Sequence, residues 1–211
     1  AMARDTGATG TVLNTLFNRA IAVGKRVRTE TRIACNAVSI SYAAVEQAKK
    51  VCRDLTGAKI LLLGAGKMSE LTARHLLSNG VQTVFVANRR YERAVQLAAK
   101  FHGVAVPLEQ FREWAVTADI IITSTGAPHY LVRSWDVAHL MPKRNGRPLI
   151  FIDIAVPRDV EPEVAALSGV KLYNIDDLEA VVAANVELRQ QEAAAAEAII
   201  AAERAELMAK F

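Results

Sequence analysis

The chain has 211 residues, of which 52% are hydrophobic and 23% are charged, a composition typical of a globular protein with a sizeable core. Its formal net charge of +4 comes from 26 basic and 22 acidic residues, too small an excess to indicate nucleic-acid binding by itself. No apolar run approaches the ~20 residues that span a membrane, and the first residues do not resemble a signal peptide, so we expect a soluble protein without membrane contact.

Two helices are predicted ahead of the first strand. Apolar residues recur at helical spacing from Thr11 to Arg28, and a second helix is expected from about Val38 to Leu55, ended by Thr56-Gly57. The basic stretch from Gly24 to Arg32 between them is interpreted as a solvated face rather than a polyanion site.

Neither the cysteines nor the histidines show a recognisable site pattern. Cys35 and Cys52 have neither C-x-x-C nor metal-ligand spacing, so a reduced, intracellular setting is expected. Cys35-Asn36 has no partner in catalytic spacing, and we interpret Cys35 as a small buried residue. Of the four histidines only His129, near a predicted ligand loop, is a candidate for a site role. We therefore predict no metal site and assign no catalytic residue.

The most informative stretch runs from Ala58 to Ser69. Ile60–Leu63 is a short apolar run without alternation, as expected for a buried parallel strand, and helical spacing begins at Lys67. A glycine turn between a strand and a helix directs backbone N–H groups and the positive end of a helix dipole at one point, which suits a pyrophosphate. An ordinary turn is the less favoured alternative. The cofactor-binding residues predicted here are Gly64, Ala65, Gly66, Lys67, Met68 and Ser69, the last standing where G-x-G-x-x-G has its third glycine.

A second strand, Thr83 to Ala87, ends in Asn88, Arg89 and Arg90. This point lies roughly 20 residues after the glycine turn, where a site selective for NAD has an acidic residue on the ribose 2′-hydroxyl. An asparagine followed by two arginines suits a 2′-phosphate instead, through charge-assisted hydrogen bonds. We therefore predict that these three residues bind NADP(H) rather than NAD(H).

The rest of the chain alternates helices and strands up to residue 176. The elements expected are helix Tyr91–Phe101, strand Val104–Val106, a helix from Pro107 to about Thr117, strand Asp119–Thr123, helix Ser134–Leu140 capped by Ser134, strand Leu149–Ile154, helix Glu161–Leu167 and strand Leu172–Ile175. Six strands alternating with helices predict an α/β doubly wound (Rossmann) parallel sheet in the order 3-2-1-4-5-6.

Two loops at the carboxyl ends of predicted strands are candidate ligand contacts. Ser124, Thr125 and Gly126 follow the fourth strand, where their hydroxyls are placed to reach the ribose or nicotinamide, although a plain turn is almost as good an interpretation. Ala155 and Val156 follow the fifth strand. Asp153, inside that apolar strand, is expected to be satisfied by neighbouring backbone groups rather than to orient a ligand.

From residue 177 onward the composition shifts to alanine, glutamate and arginine. Leu178 to Lys210 lacks glycine and proline and predicts one helix of roughly 50 Å. Its intermittent apolar seam predicts packing against another chain. The domain organisation expected is therefore N-terminal linker helices over residues 1–55, an NADP(H)-binding domain over 56–176 and the start of a dimerisation helix over 177–211.

Several motifs together resemble glutamyl-tRNA reductase nearly from end to end. They are G-K-R-V-R-T-E-T-R-I from Gly24, A-V-S-I-S-Y-A-A-V-E from Ala37, L-L-G-A-G-K-M from Leu62, A-N-R-R from Ala87, D-I-A-V-P-R-D from Asp153 and Y-N-I-D-D-L from Tyr173. The resemblance implies the central NADPH domain of an enzyme that reduces glutamyl-tRNA to glutamate-1-semialdehyde for tetrapyrrole synthesis. A separate N-terminal domain would carry the catalytic cysteine in an S-C-N-R motif, which this sequence lacks.

The resemblance also implies a homodimer through the C-terminal helix, transfer of the aldehyde to glutamate-1-semialdehyde aminotransferase, and a cytoplasmic location, or the plastid stroma in a plant. We expect this chain alone to bind NADPH without catalysis. Two alternatives stay open at this point: a complete oxidoreductase similar to shikimate dehydrogenase, and a non-catalytic Rossmann scaffold. The sequence shows no substrate domain with a catalytic Lys-Asp pair, which argues against the first.

Overall fold

The computed structural model describes residues 9–31, 33 and 39–209. Seven α-helices lie in this part of the chain: α1 Thr11–Glu30, α2 Ile40–Cys52, α3 Lys67–Leu77, α4 Tyr91–Ala99, α5 Phe111–Ala115, α6 Ser134–Leu140 and α7 Ile175–Met208. The six strands are β1 Lys59–Leu63, β2 Thr83–Asn88, β3 Val104–Pro107, β4 Ile120–Thr123, β5 Leu149–Asp153 and β6 Val170–Asn174. Short 3₁₀ turns cover Leu108–Gln110, Met141–Arg144 and Pro162–Ala166.

The strands form one parallel sheet in the order β3-β2-β1-β4-β5-β6, which confirms the predicted doubly wound topology. The central strand β1 pairs with β2 on one side and with β4 on the other, so that Leu61 lies between Phe85 and Ile121. Ile60–Leu63, all of β4 and all of β5 are buried, because helices cover both faces of the sheet. Successive strands are added on one side of β1 up to β3 and on its other side from β4 onward, so the strand order reverses between β1 and β4. This switch point is where open sheets of this kind bind ligands.

Four predicted elements differ from the structure in their details. The sixth strand begins at Val170, two residues before the predicted Leu172. Pro107 ends β3 instead of opening a helix; it is tolerated there because β3 is an edge strand, and α5 begins only at Phe111. Ser134 is the first residue of α6 rather than its cap, and its hydroxyl donates to Glu161 Oε2 over 2.6 Å. The segment predicted as a helix from Glu161 to Leu167 is a 3₁₀ turn.

The chain forms two compact units. The larger contains the sheet, α2 and the start of α7 up to Val182, so α2, which the sequence analysis placed in an N-terminal segment, packs in the same unit as the sheet. The domain boundaries at residues 56 and 176 stay a prediction. Over the described residues, no helix combines the length and the apolar character that a membrane crossing requires.

The smaller unit pairs α1 with the part of α7 from Ala183 onward. Ion pairs join these helices: Arg19 and Arg26 both contact Glu203, with N···O distances of 2.6 and 2.8 Å. Ala196 is buried in this unit, whereas Val12, Phe17 and Ile21 on α1 stay exposed. The long helix is therefore covered on one face by this chain itself, a contact that the sequence analysis did not foresee.

Candidate nucleotide-binding site

A cleft of about 470 Å³ opens at the carboxyl edge of the sheet, beside the switch point. Three segments form most of its wall: Gly64–Gly66 after β1, Asn88–Arg90 after β2, and Ser124–His129 after β4. They lie far apart in sequence, but parallel strands end at the same edge of a sheet and so bring them together. The structure thus collects nine of the predicted site residues around one cavity: Gly64, Ala65, Gly66, Asn88, Arg89, Arg90, Ser124, Thr125 and Gly126.

The first glycine of the turn is required by both conformation and space. Gly64 has φ +106°, a value that side-chain-bearing residues rarely adopt, and its N–H donates to the Ala87 carbonyl over 2.8 Å. A Cβ on Gly64 would lie 2.7 Å from the Ser124 carbonyl oxygen. Gly66 then caps α3, so the N-terminus of this helix, with its unpaired N–H groups and positive dipole end, faces the cleft and suits a phosphate.

The cleft is cationic at the end of β2. Asn88 donates from Nδ2 to the Arg90 carbonyl over 2.9 Å, which closes the turn that carries the exposed side chains of Arg89 and Arg90. Arg93, in the first turn of α4, adds a third guanidinium to the lining. Arg93 was not among the predicted site residues, although its position three residues after Arg90 on a predicted helix was a usable signal. None of the described residues that line the cleft is acidic.

The hydroxyl groups after β4 are engaged within the protein. Ser124 Oγ contacts the hydroxyl of Ser69, which is fully buried on α3. Thr125 Oγ1 donates to Asp159 Oδ1 over 2.5 Å and accepts the Ala127 N–H over 3.1 Å. These hydrogen bonds fix the loop, so the direct ribose or nicotinamide contacts expected of both hydroxyls stay a prediction.

Five predicted residues lie outside the lining of the cleft. Ser69 and Ala155 are buried, Lys67 and Met68 are exposed on the first turn of α3, and Val156 is 75% exposed. Their contacts with a cofactor also stay a prediction. The wall is completed by four further residues that were not predicted as site residues: Leu108, Ala127, Pro128 and Leu131. His129, the one candidate histidine, does line the cleft.

Two buried carboxylates lie behind the cleft. Asp153 accepts hydrogen bonds from the Thr123 hydroxyl and the Ala155 N–H on one oxygen, and from the Asp159 and Val160 N–H groups on the other, at 2.8 to 3.1 Å. This arrangement supports the prediction that neighbouring groups satisfy Asp153. Burial raises the pKa of the second carboxyl, Asp159.

Cys52, the cysteine in the described part of the chain, gains no site role from the structure. Cys52 is half-buried at the end of α2, and burial raises the pKa of its thiol, so it is less available as a thiolate nucleophile than an ordinary cysteine. Cys35 and Asn36, together with Arg32 of the basic stretch, lie outside the described residues.

Known proteins share both the sequence and the fold. The sequence model of the family described as shikimate / quinate 5-dehydrogenase matches residues 46–181. Glutamyl-tRNA reductase from Moorella thermoacetica is 56% identical over 96% of this chain, and that from Desulforudis audaxviator is 52% identical over 98%. The structure of glutamyl-tRNA reductase from Methanopyrus kandleri superposes with a TM-score of 0.92 at 39% identity, over 99% of this chain and 52% of its own.

These relatives distinguish between the interpretations that the sequence analysis left open. The curated relatives with about 50% sequence identity to this chain are glutamyl-tRNA reductases. This similarity does not favour the alternatives of a complete dehydrogenase or a non-catalytic scaffold. The chain spans 46% of the length of each of these two relatives. The cleft has the position and the glycine turn of a dinucleotide site in a Rossmann fold. The chain therefore belongs to the shikimate / quinate 5-dehydrogenase family and, over almost all of its length, is homologous to glutamyl-tRNA reductases.

Proposed function

We propose that this chain is the NADPH-binding part of a glutamyl-tRNA reductase. The observation that carries the choice of NADPH is the set of guanidinium groups at the end of β2, Arg89, Arg90 and Arg93, in a cleft whose described lining has no acidic residue. A carboxylate there would accept from a ribose 2′-hydroxyl and repel a 2′-phosphate. Guanidinium groups do the opposite, since they donate paired hydrogen bonds to phosphate oxygens.

We infer the orientation of the cofactor from the usual arrangement in this fold. Its pyrophosphate would lie against the glycine turn and the N-terminus of α3, and its adenosine half against the end of β2. The nicotinamide half would then lie beside the loops after β4 and β5, in the second half of the sheet. In this orientation the 2′-phosphate reaches Arg89 and Arg90, while the reactive ring approaches the segment from Ser124 to His129.

A calorimetric titration with NADPH and, separately, NADH tests this proposal. We expect NADPH to bind the wild-type chain more tightly than NADH, and the double substitution Arg89→Ala/Arg90→Ala to weaken NADPH binding about 10- to 100-fold, because hydrogen bonds to a charged phosphate are lost. NADH binding should change little. Arg74→Ala, which removes an exposed arginine from α3 away from the cleft, is the matched control.

Equal affinity for the two cofactors, or a double variant that binds NADPH as tightly as the wild type, would contradict the choice of NADPH. Binding of neither cofactor to a folded chain would contradict the proposed site as a whole and would favour a scaffold role.

The reaction of the whole enzyme is proposed from the names of the relatives. Because this chain spans less than half of their length, we expect it to bind NADPH but to need the remaining part of such an enzyme to reduce glutamyl-tRNA. A homodimer, transfer of the product to glutamate-1-semialdehyde aminotransferase and a cytoplasmic location belong to the same proposal. Conversion of glutamyl-tRNA to the aldehyde by this chain alone would contradict it.

A further inference from the structure

The loop between β4 and α6, residues 124–133, forms the wall of the cleft on the side where the proposed cofactor would place its nicotinamide. Ser124–His129 and Leu131 of this β4–α6 loop line the cavity. The loop has no regular secondary structure, apart from one isolated bridge between Val132 and Val160, so it must be held in place by specific contacts.

Asp159, in the segment after β5, contacts both ends of the β4–α6 loop. Its carboxylate accepts the Thr125 N–H over 2.7 Å and the Thr125 hydroxyl over 2.5 Å. Its backbone carbonyl accepts the N–H groups of Leu131 and Val132 over 2.7 and 3.0 Å. One residue therefore fixes where the loop leaves β4 and where it returns towards α6.

Asp159 is itself rigidly placed. It is 0% exposed, and its N–H donates to Asp153 Oδ2 over 2.9 Å. Asp153 in turn accepts the hydroxyl of Thr123, the last residue of β4. The two carboxylates thus connect the ends of β4 and β5, and a displacement of Asp159 would move Thr125 and the wall of the cleft with it.

We propose that Asp159 is a positioning residue for the nicotinamide half of the bound cofactor: by holding Thr125, it fixes the β4–α6 loop against which the ring lies. This inference rests on the proposed function, since it presupposes a cofactor oriented across the switch point. Asp159 does not touch the cofactor itself, because it is fully buried behind the loop. Its effect is exerted through Thr125, and it is confined to one half of the site.

That confinement makes the role testable with two ligands. NADPH uses both halves of the cleft, whereas 2′-phospho-ADP-ribose has the 2′-phosphate and pyrophosphate but lacks the nicotinamide. We expect Asp159→Ala and Thr125→Val to weaken NADPH binding about ten-fold, the effect of one or two lost hydrogen bonds, and to leave the affinity for 2′-phospho-ADP-ribose within about two-fold. Thr125→Ser keeps the hydroxyl and should restore NADPH binding. Arg89→Ala should weaken both ligands.

The possible outcomes separate this inference from the proposed function. If the wild-type chain binds neither ligand, the proposed function fails and the inference fails with it. If the wild type binds NADPH but the two substitutions leave its affinity unchanged, or weaken both ligands equally, only the inference is overturned. Should Asp159→Ala lose the cooperative thermal unfolding of the wild type, the comparison of Thr125→Val with Thr125→Ser decides, because valine has nearly the shape of threonine and removes only the hydroxyl.

Discussion

Arg144 is a buried cation, and none of the described acidic residues forms an ion pair with it. It is 1% exposed, and within the described part of the chain its guanidinium donates to five backbone carbonyl oxygens. These belong to Ala115, Val116 and Ala118 over 2.6, 3.0 and 2.5 Å, and to Pro148 and Arg147 over 2.6 and 3.2 Å. Burial lowers its pKa to about 10, so it is still charged at neutral pH. The Arg144 side chain therefore donates hydrogen bonds to backbone carbonyl groups in the two turns that precede β4 and β5.

Replacing Arg144 by methionine should destabilise the chain by about 3 kcal/mol or more, because a guanidinium is lost and several buried carbonyls are left without donors. Urea unfolding followed by circular dichroism would measure the loss as a lower midpoint. Lys143→Met, at the neighbouring exposed position, is the matched control and should change the free energy of unfolding by less than about 0.5 kcal/mol. Equal urea midpoints for the two variants would show that buried Arg144 contributes no more to the free energy of unfolding than exposed Lys143.

At the scale of elements, the pairing of α1 with α7 depends on charged groups. Glu203 of α7 accepts a hydrogen bond from Arg26 over 2.8 Å, and its other carboxylate oxygen lies 2.6 Å from Nε of Arg19. Arg19 also contacts Glu206 over 2.5 Å. The pKa of Glu203 lies below its usual range. The hydrogen bond from Arg26 is the largest cause, and the positive charge of Arg19 lowers the pKa further. The ionised form of Glu203 is therefore the one that joins the helices.

The pH dependence follows from the sign of that shift. An acid whose pKa is lowered in the folded state stabilises it above the ordinary glutamate pKa of about 4.3, and this stabilisation disappears as the pH falls through the lower value. Amide protection factors in α1, from hydrogen exchange, should therefore fall on acidification to about pH 3 and in about 1 M salt, which screens surface charges. Glu203→Gln should lower them already at pH 7, whereas Glu197→Gln, at an exposed position of α7, should not. Unchanged protection in Glu203→Gln would exclude this role.

Sequence pattern predicted the interior of the sheet better than its edges. Ile60–Leu63 in β1 and Ile120–Ile122 in β4 are uninterrupted apolar runs, so the positions of these strands followed from the sequence pattern. The predicted sixth strand was displaced by about two residues, because β6 is an edge strand with only Val170 buried, and pairing with β5 decides where it begins. Pro107 was mistaken for a helix start for a similar reason, since a proline can also end an edge strand.

At the scale of the whole molecule, sequence pattern predicted only those site residues that lie close in sequence to the end of a strand. The glycine turn and the arginines after β2 each lie within a few residues of a strand end, and the fold brings them to one cleft. Asp159 gives no such signal, because its hydrogen bonds reach Thr125, which lies 34 residues away. Sequence pattern predicted Asp153 to be satisfied by its neighbours, but it did not show that these include Asp159, or that Asp159 holds the wall of the cleft.

Self-association, predicted from the seam of α7, is a property of the whole molecule. The structure leaves large apolar side chains exposed on both helices of the smaller unit, among them Phe17 and Ile21 on α1 and Leu188 and Ile200 on α7. Large apolar side chains exposed on both helices of one unit are candidates for an interface between two copies of this chain. α7 has 34 residues and is about 51 Å long, so it offers a long surface for such a contact.

Light scattering at tens of micromolar should therefore give the mass of a dimer. Leu188→Glu/Ile200→Glu should give the monomer mass of 22.9 kDa, because it would bury two unpaired charges in the interface. Val95→Glu places the same charge at an exposed apolar position of α4 in the larger unit and should leave the dimer intact. NADPH affinity should be the same for all three proteins, since none of these positions lines the cleft. A monomer mass for the wild type would show that the apolar seam of α7 does not join two copies of this chain.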